Sequence, residues 1–213
     1  MMKDAVKSIA NAVIAEKNYL TMLDTKTGDG DHGLNMARGA AAVLEAVDEL
    51  DDNDLNAGVL CNAVGQAVIM NVGGAAGPLY GTGFVEASKT LDESAKLDVK
   101  TLQKFFEAMI AGIERRGHAK KGDKTMLDTL IPIYDTLHAA QETDGEDKPL
   151  DEILEEALTA AREGMEFTKT IAAKRGRASL IGERSIGFED PGAASALIIF
   201  RAFCQFLKDN KLI

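Results

Sequence analysis

Tryptophan is absent, and aromatic residues make up only 5% of the 213 positions. There are two cysteines, Cys61 and Cys204. Both sit in apolar stretches with helical spacing and read as buried, inert thiols. Their separation excludes zinc-ligand spacing. No apolar run reaches the roughly 20 residues that span a bilayer, and the N-terminus shows no signal-peptide pattern. A reducing, cytoplasmic setting is the expectation. Basic residues are in deficit as well: Lys plus Arg number 24 against 34 Asp plus Glu, for a net charge of −10. Nucleic acid and anionic membranes are therefore poor partners. Phosphate could still be handled if a metal ion supplied the positive charge. What is plentiful is alanine and methionine, which leans towards helix. The length suits a single domain over 1–213 with a sizeable core.

The densest chemistry lies in Asp24-Thr25-Lys26-Thr27-Gly28-Asp29-Gly30-Asp31-His32-Gly33-Leu34-Asn35, which reads as a loop between two helices. Asp24, Asp29 and Asp31 fall within eight residues. Carboxylates this close disfavour one another's charge unless they point apart into water or share a cation. A hard divalent ion such as Mg²⁺ takes oxygen ligands and keeps positions for phosphate oxygens. The plainer alternative is a solvated acidic turn capping the next helix. Gly28, Gly30 and Gly33 can take positive φ and bring backbone close to a ligand. They match Gly-x-Gly-x-x-Gly, but that dinucleotide fingerprint needs a preceding strand, and here a helical pattern precedes. An EF-hand needs Glu at its twelfth position; counting from Asp24 or Asp29 gives Asn35 or Ala40.

Spacing predicts a first helix over about Met2–Leu23, on Val6, Ile9, Val13 and Leu20, and a second over Leu34–Leu50. Asp54 is expected to cap a third, through Leu55, Val59, Val64, Val68 and Val72. Gly73-Gly74-Ala75-Ala76-Gly77-Pro78 stops it and leads to a short fourth, Leu79–Thr90. Its small residues either leave backbone N–H groups free for an anion or form only a tight turn. Leu102, Phe105, Phe106, Met109, Ile110 and Ile113 mark a fifth helix. A basic cluster follows, from Arg115 to Thr125. It is a solvated loop or a phosphate contact. The near-match to a P-loop fails, because Asp123 is inserted and no strand precedes. Asp123 reads as the N-cap of a helix through Met126, Leu130, Ile133 and Leu137. A polar linker at 142–149 leads to the most regular helix, Leu150 to about Lys174. The Arg-, Gly- and Ser-rich loop 175–192 is long for a connection without structure of its own, and such loops are often functional. Asp190-Pro191-Gly192 then opens a last helix, Ala193–Leu207.

This gives an all-α chain of about eight helices. In an up-and-down antiparallel barrel or bundle, alternate junctions share an end. The segments 24–35, 73–78, 115–125 and 175–192 should then converge on one rim. Carboxylates, cationic side chains and free backbone N–H groups gathered together are the parts of a phosphoryl-transfer centre.

At these residues a family resemblance enters. Gly28-Asp-Gly-Asp-His-Gly33, Gly73-Gly-Ala-Ala-Gly-Pro-Leu79, Gly122-Asp-Lys-Thr-Met126, and Gly176-Arg-Ala-Ser-Leu-Ile-Gly-Glu-Arg-Ser-Ile-Gly187 with Asp190-Pro-Gly192 occur in order over essentially the whole chain. Together they resemble the nucleotide-binding L subunit of dihydroxyacetone kinase. The resemblance implies an eight-helix antiparallel barrel with the nucleotide at one rim. It implies that Asp24, Asp29 and Asp31 hold two Mg²⁺ ions bridging to the phosphates of ADP or ATP. His32, Gly33, Leu34 and Asn35 would line the nucleotide, and Ala75 and Ala76 would offer backbone N–H groups. Gly117 and Met126 would contact the adenine or ribose side. Arg177 would be the catalytic cation near the phosphates, and Asp190, Pro191 and Gly192 would close the site. Ala76 stands where a Ser can occur. His32 as a phosphoryl acceptor is the weaker reading beside packing on the nucleotide or orienting an Asp.

Nothing in the chain resembles the K domain of that family, so a separate dihydroxyacetone-binding K subunit is implied. So is a phosphohistidine-carrying M subunit, fed by the phosphoenolpyruvate phosphotransferase system, which rephosphorylates bound ADP. The activity implied is that of a phosphoenolpyruvate–glycerone phosphotransferase. The alternatives are an ATP-exchanging kinase domain serving another small ketose or a fatty acid, and a non-catalytic nucleotide sensor.

Overall fold

The computed structural model describes residues 1–142 and 148–213. Among them lie nine α-helices and no strand: α1 Met2–Ala15, α2 Lys17–Thr27, α3 His32–Asp48, α4 Ala57–Asn71, α5 Ala76–Ser88, α6 Val99–Gly117, α7 Leu127–Glu142, α8 Leu150–Phe167 and α9 Pro191–Asp209. Two 3-10 stretches, Thr168–Thr170 and Arg177–Ser185, separate α8 from α9. The expectation of an all-α chain holds. The polar linker read at 142–149 lies for its greater part outside the described residues.

The first helix differs from its prediction. Glu16 (φ −89°, ψ 10°) breaks it into α1 and α2, and α2 runs on to Thr27. Counted as one bent rod, α1 and α2 restore the eight helices that spacing suggested. Other ends moved as well; α5, for one, starts at Ala76 rather than Leu79. The side chain of Asn56, not Asp54, caps α4 by accepting from Val59 N at 2.9 Å. The α8 helix stops at Phe167 rather than near Lys174.

Consecutive helices pack on each other, and α9 returns to α1 and α2. The cross-contacts run in opposite senses. Lys3 on α1 donates to Leu50 O at 2.7 Å, and Lys7 pairs with Asp48. Gly65 and Ile69 on α4 both lie against Gly81 on α5, so close that a Cβ at Gly81 would stand 2.8 Å from Gly65 O. Gly83 on α5 faces Met109 and Ile113, while Leu79, one turn earlier, faces Gly117 at the end of α6. Gly164 near the end of α8 meets Asp128 and Pro132 near the start of α7. Neighbours are therefore antiparallel. The α2–α3, α4–α5, α6–α7 and α8–α9 junctions share one end, and α1 begins and α9 finishes at the other.

The last helix is more than one stave of a ring. Ala193, Ala194, Ser195 and Ala196 are each at most 1% exposed. Small side chains let these turns pass among the others. Besides α1, α2, α7 and α8, α9 reaches α5 through Tyr80, whose hydroxyl donates to Gly192 O at 3.0 Å, and α6 through the edge-to-face pair Phe106–Phe200. The N-terminus of α9 is thus delivered to the middle of the end that carries the special loops.

Candidate functional site

The acidic corner is built by the last turn of α2 and the first of α3. Asp24 lies on α2, not in a loop, and the true connection shrinks to 28–31. The helix carries on to Thr27 because Gly28 N still donates to Asp24 O, at 2.6 Å. Asp24 is buried, and its Oδ2 accepts from Asp31 N at 2.9 Å and His32 N at 3.1 Å. These are among the N–H groups that a helix start leaves without partners. One oxygen from each of Asp24, Asp29 and Asp31 lies within 4.8 Å of the others. Asp29 also faces Arg177, whose Nη2 stands 2.9 Å from its Oδ2. Of the three glycines, only Gly30 takes positive φ (74°). Gly33 is required for space instead: a Cβ there would fall on the Lys17 carbonyl oxygen and stand 2.6 Å from Thr21 N.

The small-residue loop joins this corner. Asn35 is buried, and its Oδ1 accepts from Arg38 Nη2 at 2.9 Å, while Arg38 Nε donates to Asn71 O at 2.9 Å. The segment is a turn, with Gly74 at φ 66°, and also a helix start with no side-chain cap. Ala75 is exposed and Ala76 buried, while Leu34 is exposed on the α3 side.

His32 is partly buried, with Nε2 3.1 Å from Ser195 Oγ. That hydroxyl lies 2.9 Å from Tyr80 Oη, so one polar chain ties α3, α5 and α9. Burial pulls the His32 pKa below its ordinary value, against the opposing charges of Asp24 and Asp31. Asp190 caps α9 by accepting from Ala193 N at 2.8 Å. Burial raises its carboxyl to about 7, although backbone hydrogen bonds oppose the rise. Pro191 and Gly192 are buried beside it, and Gly192 lies close to the backbone of buried Met126. Gly117, at the end of α6, packs on Leu79.

The basic cluster divides on inspection. Lys124 is no phosphate contact: it is 1% exposed and its ammonium donates to main-chain carbonyls of the 168–188 segment. Arg115 pairs with Glu86 at 3.0 Å and Lys121 with Asp135 at 2.9 Å. Asp123 does not cap α7. Its Oδ2 accepts from Lys120 N at 3.1 Å, inside the loop. The loop is shaped by Asp128, which spacing did not single out. Asp128 Oδ1 accepts from Gly122 N at 2.6 Å and Oδ2 from Thr125 N at 2.8 Å. The long 175–192 loop also has structure of its own, with Ser185 Oγ accepting from Ala173 N at 2.9 Å. Asp128, Tyr80 and Ser195 were not singled out by spacing, though Ser195 is a lone hydroxyl among alanines; Lys124 was read only within the basic cluster and the Gly122–Met126 motif.

The acidic corner, the small-residue turn, the 118–126 loop and the Arg177 segment therefore meet around the start of α9. The donors at the corner are hard carboxylate oxygens, the set that Mg²⁺ prefers. Among the described residues, no helix is long and apolar enough to cross a membrane.

Fold and site together define a class: an all-α domain whose carboxylates, Arg177 and open helix starts are collected at one end. The pattern of the DAK2 domain matches residues 26–205, and the chain belongs to that family. A Listeria innocua protein described as the ADP-binding subunit DhaL of PEP-dependent dihydroxyacetone kinase 1 is 42% identical over 189 residues, 89% of this chain and 87% of its own. The Escherichia coli K12 protein described as the ADP-binding subunit DhaL of PEP-dependent dihydroxyacetone kinase is 37% identical over 194 residues, 91% and 90% of the two chains. The crystal structure of the C. freundii dihydroxyacetone kinase with AMP-PNP and Mg²⁺ superposes with a TM-score of 0.71 at 26% identity. That match covers 96% of this chain and 33% of the larger one. The resemblance read from the four motifs is borne out.

Proposed function

We propose that this chain is the ADP-binding subunit of a phosphoenolpyruvate-dependent dihydroxyacetone kinase. In this reading it passes a phosphoryl group from its own nucleotide to dihydroxyacetone held on a separate K subunit. A phosphohistidine on an M subunit then recharges the ADP. The observation that carries the reading is the carboxylate triad, whose oxygens lie within 4.8 Å of one another at the rim that also bears Arg177. Near full-length likeness to two subunits so described supports the partner scheme.

Asp24, Asp29 and Asp31 would hold Mg²⁺, two ions in this reading, and the metal would neutralise phosphate charge. The chain's own residues do the remaining work. Asp24 is fixed by two backbone amides, so its free oxygen is aimed before any ligand arrives. The uncapped start of α5 at Ala75 and Ala76 offers N–H groups to phosphate oxygens. Arg177, now on Asp29, is placed to meet charge on the transferring group, and a cation of this kind is worth roughly 10³-fold in related chemistry. His32 has its Nε2 engaged by Ser195 Oγ at 3.1 Å, which suits positioning rather than accepting a phosphoryl group. In this reading Gly117, Met126, Asp190, Pro191 and Gly192 would contact the base and ribose side, and Leu34 and Asn35 would line the nucleotide.

The test is to dialyse the purified protein extensively with Mg²⁺, denature it and chromatograph what it releases. One equivalent of ADP that survives dialysis is the expected result and marks a resident coenzyme. Reversible ATP binding by an empty protein would assign it to the ATP-exchanging kinases instead. Binding of neither nucleotide would overturn the site.

A further inference from the structure

Lys124 is a cation folded into the protein rather than offered to solvent. It is 1% exposed and takes φ 63°, a left-handed backbone that lysine keeps only where its surroundings hold it. An ammonium has three N–H donors and no acceptor. Three carbonyl oxygens stand at short distances from Nζ: Thr168 at 2.6 Å, Phe188 at 2.7 Å and Ser185 at 2.8 Å. Ile171 O, at 3.3 Å, completes the shell. A neutral amine could serve only two of these, so the shell selects the charged form. Burial opposes that charge, while Asp190 and Asp128 favour it.

The partners bracket one loop. Thr168 and Ile171 precede it, and Ser185 and Phe188 follow it. The chain from 172 to 184, with Arg177 in it, leaves and returns through this single shell. Across the same neck Lys169 pairs with Glu189 at 2.7 Å, a partly exposed ion pair, and Lys174 N ties the loop to Asp123 O at 3.0 Å, while Gly187 N to Lys169 O at 2.7 Å and Ala173 N to Ser185 Oγ at 2.9 Å are neutral hydrogen bonds. Bonds from an ammonium are charge-assisted and stronger.

We propose that Lys124 is a positioning residue for Arg177: its ammonium closes the neck of the 172–184 loop and so sets where the guanidinium meets the acidic corner. The idea rests on the reading of this rim as the nucleotide site. Arg177 itself is 69% exposed in its side chain, and among the described residues its ion pair is with Asp29, so its reach is set by where its backbone is anchored.

The test compares Lys124→Met, Arg177→Gln and the double variant by calorimetric titration of nucleotide-free protein with ADP and Mg²⁺. Hydrogen exchange is followed by mass spectrometry in parallel. Each single change is expected to weaken ADP binding about tenfold, the worth of a charge-assisted bond. The double variant should bind no more weakly than the worse single, because both changes remove one interaction. Exchange should quicken in 172–184 while α3 to α6 keep wild-type rates. A hundredfold loss in the double variant, wild-type affinity in Lys124→Met, or faster exchange throughout the chain would overturn the proposal. If Lys124→Met does not fold, Lys124→Ala is refolded with n-propylammonium. ADP affinity that rises with the amine supports the proposal, and protein that stays unfolded assigns Lys124 to the core and overturns it. Wild-type protein that binds no ADP would overturn the reading of the rim, and the exchange comparison would still decide the anchor.

Discussion

Asp190 holds its proton up to about pH 7 in the folded chain and releases it near 3.8 when unfolded. Between those values the native state binds more protons than the unfolded one, so this group's contribution to stability falls as pH rises from about 4 to about 7. That slope is opposite to the one an ordinary paired aspartate gives. Asp190→Asn keeps an acceptor for Ala193 N and removes the titration. Melting temperature of the variant relative to wild type should climb across the window. Parallel profiles would show instead that the carboxyl is ionised throughout. Asp24→Asn tests the acidic corner: Asn keeps one acceptor for the amides of Asp31 and His32 but deletes a charge from the triad. Calorimetry should show Mg²⁺ affinity with ADP reduced about tenfold or more. At the thiols, burial raises Cys61 and Cys204 to about 12. Neither should react with a thiol reagent at pH 8 until the protein unfolds, since only the thiolate attacks.

Contacts between α2 and α3 depend on one missing side chain. Gly33→Ala would press a methyl against the Lys17 carbonyl and the Thr21 amide, which are backbone and cannot swing aside. Urea titration should show a loss of about 1–3 kcal/mol, the range for overpacking, and ADP binding should weaken because α3 carries His32 to Asn35. Elements were also where the sequence was most legible. Apolar spacing located the eight rods, and alternation of their junctions placed four loops at one end before any contact was known. The ends were less legible. Nothing at Glu16 resembles a helix breaker, and the helix stripe near Ile171 continues past the point where tertiary bonds bend the chain. Within the site, Asp24, Asp29, Asp31 and Arg177 stood out because their local company is unusual. Lys124 and Tyr80 did not, because their partners lie 44 to 115 residues away in sequence and spacing encodes no such contact.

Across the whole molecule, ligand and fold are linked through the rim. Every loop of the site joins two helices, so a ligand that binds only the folded chain stabilises it by about 2.7 kcal/mol at a hundred times its Kd. For a domain of this size that corresponds to roughly 5–10 °C in melting temperature. Mg²⁺ with ADP should produce the rise, and a chelator should remove most of it; an unchanged melting curve would argue against the site. The antiparallel layout has a practical side for anyone attaching the protein to something else. Both chain ends emerge away from the acidic corner, separated from it by the 19 residues of α9, roughly 28 Å of helix. A bead or a dye fixed at Met1 or Ile213 would leave the rim facing open solution. A second domain fused at either point would need a tether of at least about eight extended residues to lay its own cleft against Arg177.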